Sequence, residues 1–173
     1  VRRFFQRLIG AALLDSSIYE EVEADRSAFS QAMAVVVLSS LATGIGMGAR
    51  SGVGGLLASS LTALIGWFFW AWLTYFIGTR LLPTPETSSS WGELLRTTGF
   101  SASPGILRLL SIVPVIGANY YLIVGVYIWM LAAFVVGVRQ ALDYRSTWRA
   151  VIVCLTGWLI WFFGMIFLYS TGI

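Results

Sequence analysis

The chain has 173 residues, of which 58% are hydrophobic and only 11% charged, with a net charge of +3. A soluble domain carries about a quarter charged residues, so this composition excludes an ordinary water-soluble globule and points to a bilayer as solvent. Histidine and lysine are absent and every basic residue is arginine. That removes His-ligated haem, zinc or copper and His-dependent nucleophiles, and no cofactor, metal or catalytic residue is expected. The positive charge reads as a membrane-orientation signal rather than a nucleic-acid footprint.

In chain order, VRRFFQRLIGAALL (1–14) places Phe5, Leu8, Ile9 and Ala12 on one helical face, largely opposite Arg3, Gln6 and Arg7. It is too short and too charged to span, and reads as an amphipathic helix on the membrane surface, with Arg2, Arg3, Phe5 and Arg7 as contacts. An acidic segment follows over 15–29, where Ser17 and Glu20 fit a capping box for a short surface helix. Its carboxylates, Glu20, Glu21, Glu23 and Asp25, form either a solvated face or a site for a basic partner or a cation. The short apolar start followed by acids is not the pattern of a cleavable signal peptide.

Residues 28–48 are the first span, carrying Ser40, Gly44 and Gly48 at four-residue spacing. Such a stripe of small residues admits close approach of another helix, of this chain or of another subunit. A tight turn is expected at 50–55, then a second span over 56–78 with Trp67, Trp70, Trp72 and Tyr75 crowding its second half. These aromatics suit lipid contact or gap filling. A loop at 81–90 follows, marked by Pro83, Pro85 and a serine run. Ser90 and Glu93 form a capping box that starts a helix near Trp91.

That helix carries Arg96 and is interrupted at Pro104-Gly105, and the apolar run after it, 106–117, is too short to cross alone. The two pieces read as one broken third span over 91–117. Carbonyls freed by Pro104 need partners, for which Thr97, Thr98, Ser101 and Ser103 are suited. Arg108 lies within the segment and no acidic residue lies inside any span. Its partners are therefore freed carbonyls, lipid phosphate, or an acid on another chain. Spans over 119–138 and 150–170 complete the chain, and Cys154 in the last reads as a small buried hydrophobe.

With five crossings, Arg2, Arg3, Arg7, Arg26, Arg80, Arg139, Arg145 and Arg149 fall on one side and Arg50 on the other, whereas four crossings weaken the bias. The count favours five spans with a cytoplasmic N-terminus and an external C-terminus. The fold class is an all-α polytopic membrane bundle: a cytoplasmic interfacial segment over 1–27 and a five-helix membrane domain over 28–173.

The run TRLL (79–82), ELLRTTGF (93–100), Ser103-Pro104-Gly105, ILRLL with VPVIG, and IWMLAAFVVGVRQALDY (128–144) resemble the Yip domain family of five-span membrane proteins, first known as partners of Ypt/Rab GTPases. Gly99, Phe100, Ser103, Pro104 and Gly105 correspond to its most distinctive segment. The resemblance implies five membrane helices, a cytoplasmic N-terminus, no enzymatic activity, and a trafficking or membrane-organising role. The chain departs from the eukaryotic pattern in lacking a long cytoplasmic N-terminal domain and an Asp-Leu-Tyr-Gly-Pro element, so Rab-type GTPase binding is not expected. Its compactness and arginine-only basic set point to a prokaryotic member in a bacterial inner membrane. Lipids and other membrane proteins, or a second copy, are the expected partners, and no nucleic acid. Arg96, Gly99, Phe100, Pro104, Gly105 and Arg108 are candidate structural, lipid or partner contacts. An accessory subunit of a respiratory or photosynthetic complex, or a small transporter or channel, are the alternative roles.

Overall fold

A computed structural model describes residues 2–45, 52–85, 87, 89–112 and 120–170. It is all-helical among those residues: α1 (Arg2–Ala12), α2 (Ser16–Ala24), α3 (Ala28–Thr43), α4 (Gly52–Phe76) continuing as a π-helical turn (Ile77–Leu81), α5 (Trp91–Ser101), a 3-10 helix (Ser103–Ile112), α6 (Tyr120–Ala141) and α7 (Thr147–Ser170).

Local chemistry explains the boundaries. Ser90 accepts from the Glu93 backbone N–H at 3.3 Å and Glu93 accepts from the Ser90 N–H at 2.7 Å, so the capping box sets the start of α5. The α2 start differs from expectation: Asp15, not Ser17, is the cap, its carboxylate accepting from the Ser17 N–H at 3.0 Å. A carboxylate two residues earlier reaches the orphan N–H at the helix start, which leaves Ser17 inside the first turn. Residues 52–55 of the expected turn are helical instead, since Gly52 already opens α4 at φ 74°. α1 ends with Leu14 in the left-handed region at φ 63°, and the Asp15 N–H reaches back to the Gly10 carbonyl at 3.0 Å. That is the closing bond of a Schellman turn, in which glycine is the usual residue.

Contacts along the helices fix their directions. Gly99 lies against Ala32, and Gly105 and Arg108 lie against Ser39, so α5 and the 3-10 helix together run parallel to α3. Trp67 donates to the Thr98 carbonyl while Phe68 and Tyr75 pack on Trp91, so α4 runs the other way. Gly137 faces Thr97 and Tyr127 lies under Arg108, which makes α6 antiparallel to the broken segment. Tyr144 meets the Gly78 and Leu82 carbonyls while Gly157 faces Leu73 and Ile77, so α7 is antiparallel to α4. Five segments thus alternate in direction: α3, α4, α5 with its 3-10 extension, α6 and α7.

By length and apolarity, the stretches Gly52–Leu81 and Tyr121–Ala141 are the two membrane-span candidates among the described residues, with Ala28–Thr43 and Thr147–Ile160 as shorter apolar helices. α3 is short, reaching about 24 Å at 1.5 Å per residue. The third expected span is divided in two and carries both Arg96 and Arg108, so it fails a test of continuous apolar helix. Its pieces still reach about 36 Å together, because a 3-10 helix rises about 2.0 Å per residue. Residues 113–117 of that expected span lie outside the described residues.

α5 is the axis of the molecule. Leu94 through Ser101 are buried on every side. Leu94 and Leu95 enter one apolar core with Ile77 of the π-helical turn, Val138 of α6, Leu142 just beyond it and Cys154 of α7. Phe100 enters a second core with Ala11, Tyr19 and Val22 of the N-terminal helices and Val35 and Val36 of α3. A helix buried all round must silence its own polar groups, and α5 does so locally. Thr98 donates to the Leu94 carbonyl at 2.6 Å, Ser101 to Thr98 at 2.6 Å, and Thr97 to Glu93 and Leu94. These hydroxyls bond the Glu93, Leu94 and Thr98 carbonyls, not the Phe100 or Ser101 carbonyl that an N–H at position 104 would reach, which differs from the expectation. The helical i−4 and i−3 carbonyls are simply nearer. Among the described residues, the buried Ser103 hydroxyl has no partner.

The long α4 helix turns a stripe of exposed apolar side chains outward, from Val53 through Leu57, Leu61 and Ile65 to Trp72 and Phe76. Trp67, Trp70 and Tyr75 instead pack against the cores. The aromatic residues of this helix therefore fall into an exposed set and a packed set.

Candidate functional site

The residues picked out in the sequence fall into three places: an N-terminal helical hairpin, the centre of the bundle at Arg96, and the break at Pro104 with Arg108.

α1 and α2 form an antiparallel hairpin, closed where the Tyr19 hydroxyl donates to the Ala11 carbonyl at 3.0 Å. Arg2, Arg3 and Phe5 are exposed, and Phe5, Ile9 and Leu13 form an outward apolar stripe. Arg7 corrects the expectation of a membrane-surface contact, because it is fully buried. Its guanidinium donates to Glu21 at 2.8 Å, Asp25 at 2.5 Å and Gln31 at 3.1 Å, tying α1 to α2 and α3. Burial alone would depress the Arg7 guanidinium, but its hydrogen bonds to Asp25 and Glu21 hold it above its usual value. Glu21 is held below the usual carboxylate range chiefly by Arg7, and Asp25 by the Ser27 hydroxyl and then Arg7. The acidic segment thus serves a basic group of its own chain. Arg7 is separated from these acids by 14 and 18 residues, so its pairing leaves no local sequence pattern.

The α1 helix also runs down the side of the bundle. Trp129, near the middle of α6, donates its indole N–H to the Ala12 carbonyl at 2.6 Å. The hairpin is therefore packed into the body of the molecule and shares a core with α3 and α5.

Arg96 is buried in the next layer. Its Nε donates to the Val22 carbonyl at 2.9 Å and its Nη2 to the Glu23 carbonyl. These are end carbonyls of α2, the negative pole of that helix, so the cation satisfies them by hydrogen bonding and by charge. Beside it, the Glu23 carboxyl is pushed up to about 7, first by burial and then by Asp143 and Glu93, with Glu20 adding and Arg96 opposing. Glu20 also accepts from Gln140 at 2.9 Å, tying α2 to the end of α6.

The distinctive glycines mark close approaches. A Cβ at Gly99 would sit 2.8 Å from the Ala32 Cβ and 3.2 Å from its carbonyl oxygen. At Gly105 it would collide with Ser39, Arg108 and Met130. Pro104 enters as the second residue of the 3-10 helix, where its missing N–H costs no helical bond. Of the small-residue stripe, Gly44 abuts Ser60 and the Leu56 carbonyl of α4, so its close partner is a helix of this chain. Ser40 is buried beside it, and Gly48 lies outside the described residues.

Arg108 is half-buried. Its Nε donates to the Gly105 carbonyl at 3.0 Å, its Nη2 to the Ser39 hydroxyl at 2.8 Å and carbonyl at 3.3 Å, and its guanidinium carbon lies 5.3 Å from the Tyr127 ring centre. The Gly105 carbonyl, one residue beyond Pro104, thus serves as an acceptor for the arginine. Among the described residues Arg108 makes no ion pair. It borders a cavity of about 280 Å³ with Ser39, Ser40, Thr43, Tyr127 and Met130.

An all-helical body with apolar outer stripes, a charged hairpin at one end and a glycine-lined break at its centre defines a small helical membrane protein. The Yip1 domain matches residues 9–168, nearly the whole chain. The protein belongs to the Yip1 domain family. No curated protein and no solved structure matches it.

Proposed function

We propose that this is a non-enzymatic, five-span membrane protein that organises its bilayer or scaffolds other membrane proteins. In this reading its N-terminus is cytoplasmic, its C-terminus external, and its home is a bacterial inner membrane. The observation that carries the reading is the alternation of five segments about a buried α5, in a chain whose family is the Yip1 domain. The alternation gathers Arg3, Arg80, Arg139, Arg145 and Arg149 at one end, and the positive-inside rule supports reading that end as cytoplasmic. Side chains at the centre of the bundle are spent on holding helices together, which favours an architectural role.

Single cysteines placed in the loops of a Cys154→Ser background, labelled in intact cells and in inverted vesicles, test the topology. The loops at 82–90 and 142–146 should react only from the cytoplasmic side. Labelling from opposite sides rules out five spans. Reconstitution into phosphatidylethanolamine–phosphatidylglycerol vesicles then tests the role: altered vesicle shape or self-association supports it. Vesicles of unchanged size around a dispersed monomer count against it, and a stoichiometric large complex from native membranes favours an accessory subunit instead.

A further inference from the structure

The geometry points to a binding site for one anionic lipid at Arg108, with the acidic headgroup on the guanidinium and an acyl chain in the adjoining groove. Three observations meet there. First, Arg108 is a permanent cation between α3 and α6 with no ion pair, and its Nη1 has no partner among the described residues. A cation within a bundle of apolar helices is costly until an anion or further acceptors reach it. Second, the hydroxyls of Ser39, Ser40 and Thr43 line the inner cavity with the guanidinium, in a lining that is otherwise mostly apolar. Third, Arg108 also borders an apolar groove of about 450 Å³ between the 3-10 helix and α6, lined by Leu107, Leu110, Leu122, Val126 and Trp129.

A cavity with three hydroxyl residues beside the guanidinium and an apolar groove that share one unneutralised arginine match the two halves of an acidic amphiphile. A free anion uses only the cavity, and a neutral lipid only the groove. The 3-10 geometry builds the join, because three residues per turn stack Gly105, Arg108 and Ser111 in one row while Leu107 and Leu110 stack in the next. Gly125 opens the groove, since a Cβ there would meet nothing within 4 Å.

This inference rests on the membrane reading above but not on the scaffold role. Delipidated full-length protein in neutral detergent is titrated with dioleoyl phosphatidylglycerol or dioleoyl phosphatidylcholine, and bound lipid is counted by native mass spectrometry. The expected result is one retained phosphatidylglycerol, preferred about tenfold over phosphatidylcholine. Arg108→Gln should erase the preference and Arg108→Lys keep most of it. Gly125→Leu, which fills the groove without touching the cation, should cut retention of both lipids about tenfold at an unchanged unfolding midpoint. Gly66→Leu, filling a separate α4–α6 groove where a side chain also meets open space, should change nothing. Equal retention of the two lipids, a preference that survives Arg108→Gln, or displacement of the lipid by equimolar inorganic phosphate overturns the site. Should Arg108→Gln fail to fold, Arg108→Lys and Gly125→Leu decide. Loop labelling in cells tests the membrane reading separately, so the lipid site can fail while the topology stands.

Discussion

Arg96 and Arg108 stand on either side of the same break, in the same segment, and the fold uses them in opposite ways. Arg96 is enclosed and spends its bonds on the end carbonyls of α2. Arg108 is half-buried, holds one residue of α3 and one carbonyl of its own segment, and faces a cavity. Both answer the same demand, that a guanidinium away from water find acceptors. Arg96 finds them in a neighbouring helix terminus, and it thereby locks the N-terminal hairpin to the bundle. Arg108 finds only part of its complement, which leaves capacity for a ligand.

The largest effect that separates the two should come from Arg96→Gln. It leaves the α2 carbonyls without their charged donor, at a cost of about 3 kcal/mol. Arg108→Gln should cost only about 1 kcal/mol, because lipid and water reach that site. Unfolding by SDS titration in mixed micelles measures both, and equal costs would erase the distinction. Next, Gly99→Leu drives a side chain into the α3 backbone at Ala32 and should cost about 2 kcal/mol, against under about 0.5 kcal/mol for Gly125→Leu in open space. Similar losses at both glycines would mean the inner half is no more tightly packed than the outer.

The pH dependence sharpens the comparison on the Arg96 side. The Glu23 carboxyl titrates at about 7 in the fold against 4.5 when free, so the fold holds that proton more tightly. The stability it contributes is complete below pH 4.5 and drains away as pH rises through about 7. Glu21 and Asp25 have depressed values, so their contribution is present above the free carboxylate range and lost as pH falls into acid. Stability measured from pH 4 to 8 should therefore fall toward the alkaline side, and Glu23→Gln should flatten that slope. A slope unchanged by the substitution assigns it to another group. Trp129→Phe, which removes the indole bond to Ala12, should cost about 1 kcal/mol. Faster hydrogen exchange confined to α1 would show that this bond anchors the hairpin, and unchanged exchange would show that packing alone does.

Much of this architecture is legible in the sequence because its signals are local. Ser90 and Glu93 announce the start of α5, Pro104 announces its end, and the family pattern passes through Gly99, Phe100 and Gly105. The 3-10 helix is not legible in the same way, because a polar row every third residue disappears when 106–117 is read with helical periodicity. Arg7 is misplaced by the same kind of reading: a helical wheel sorts it to the polar face, while its partners come from a different helix. The use of Arg96 depends on where α2 ends in space, which no local pattern encodes.

The hairpin's reach along α6 has a further consequence. Near the end where α3 begins and α6 finishes, seven helices lie side by side, whereas beyond the level of Trp129 only the five long segments continue among the described residues. The described residues therefore form a body that is wider at the hairpin end. Under the proposed membrane reading such a body would displace more lipid from one leaflet than from the other, and the exposed Phe5, Ile9 and Leu13 lie on the wide side. Crowded copies would relieve the resulting area mismatch by tilting against one another, so local density alone would couple this fold to the bending of its membrane.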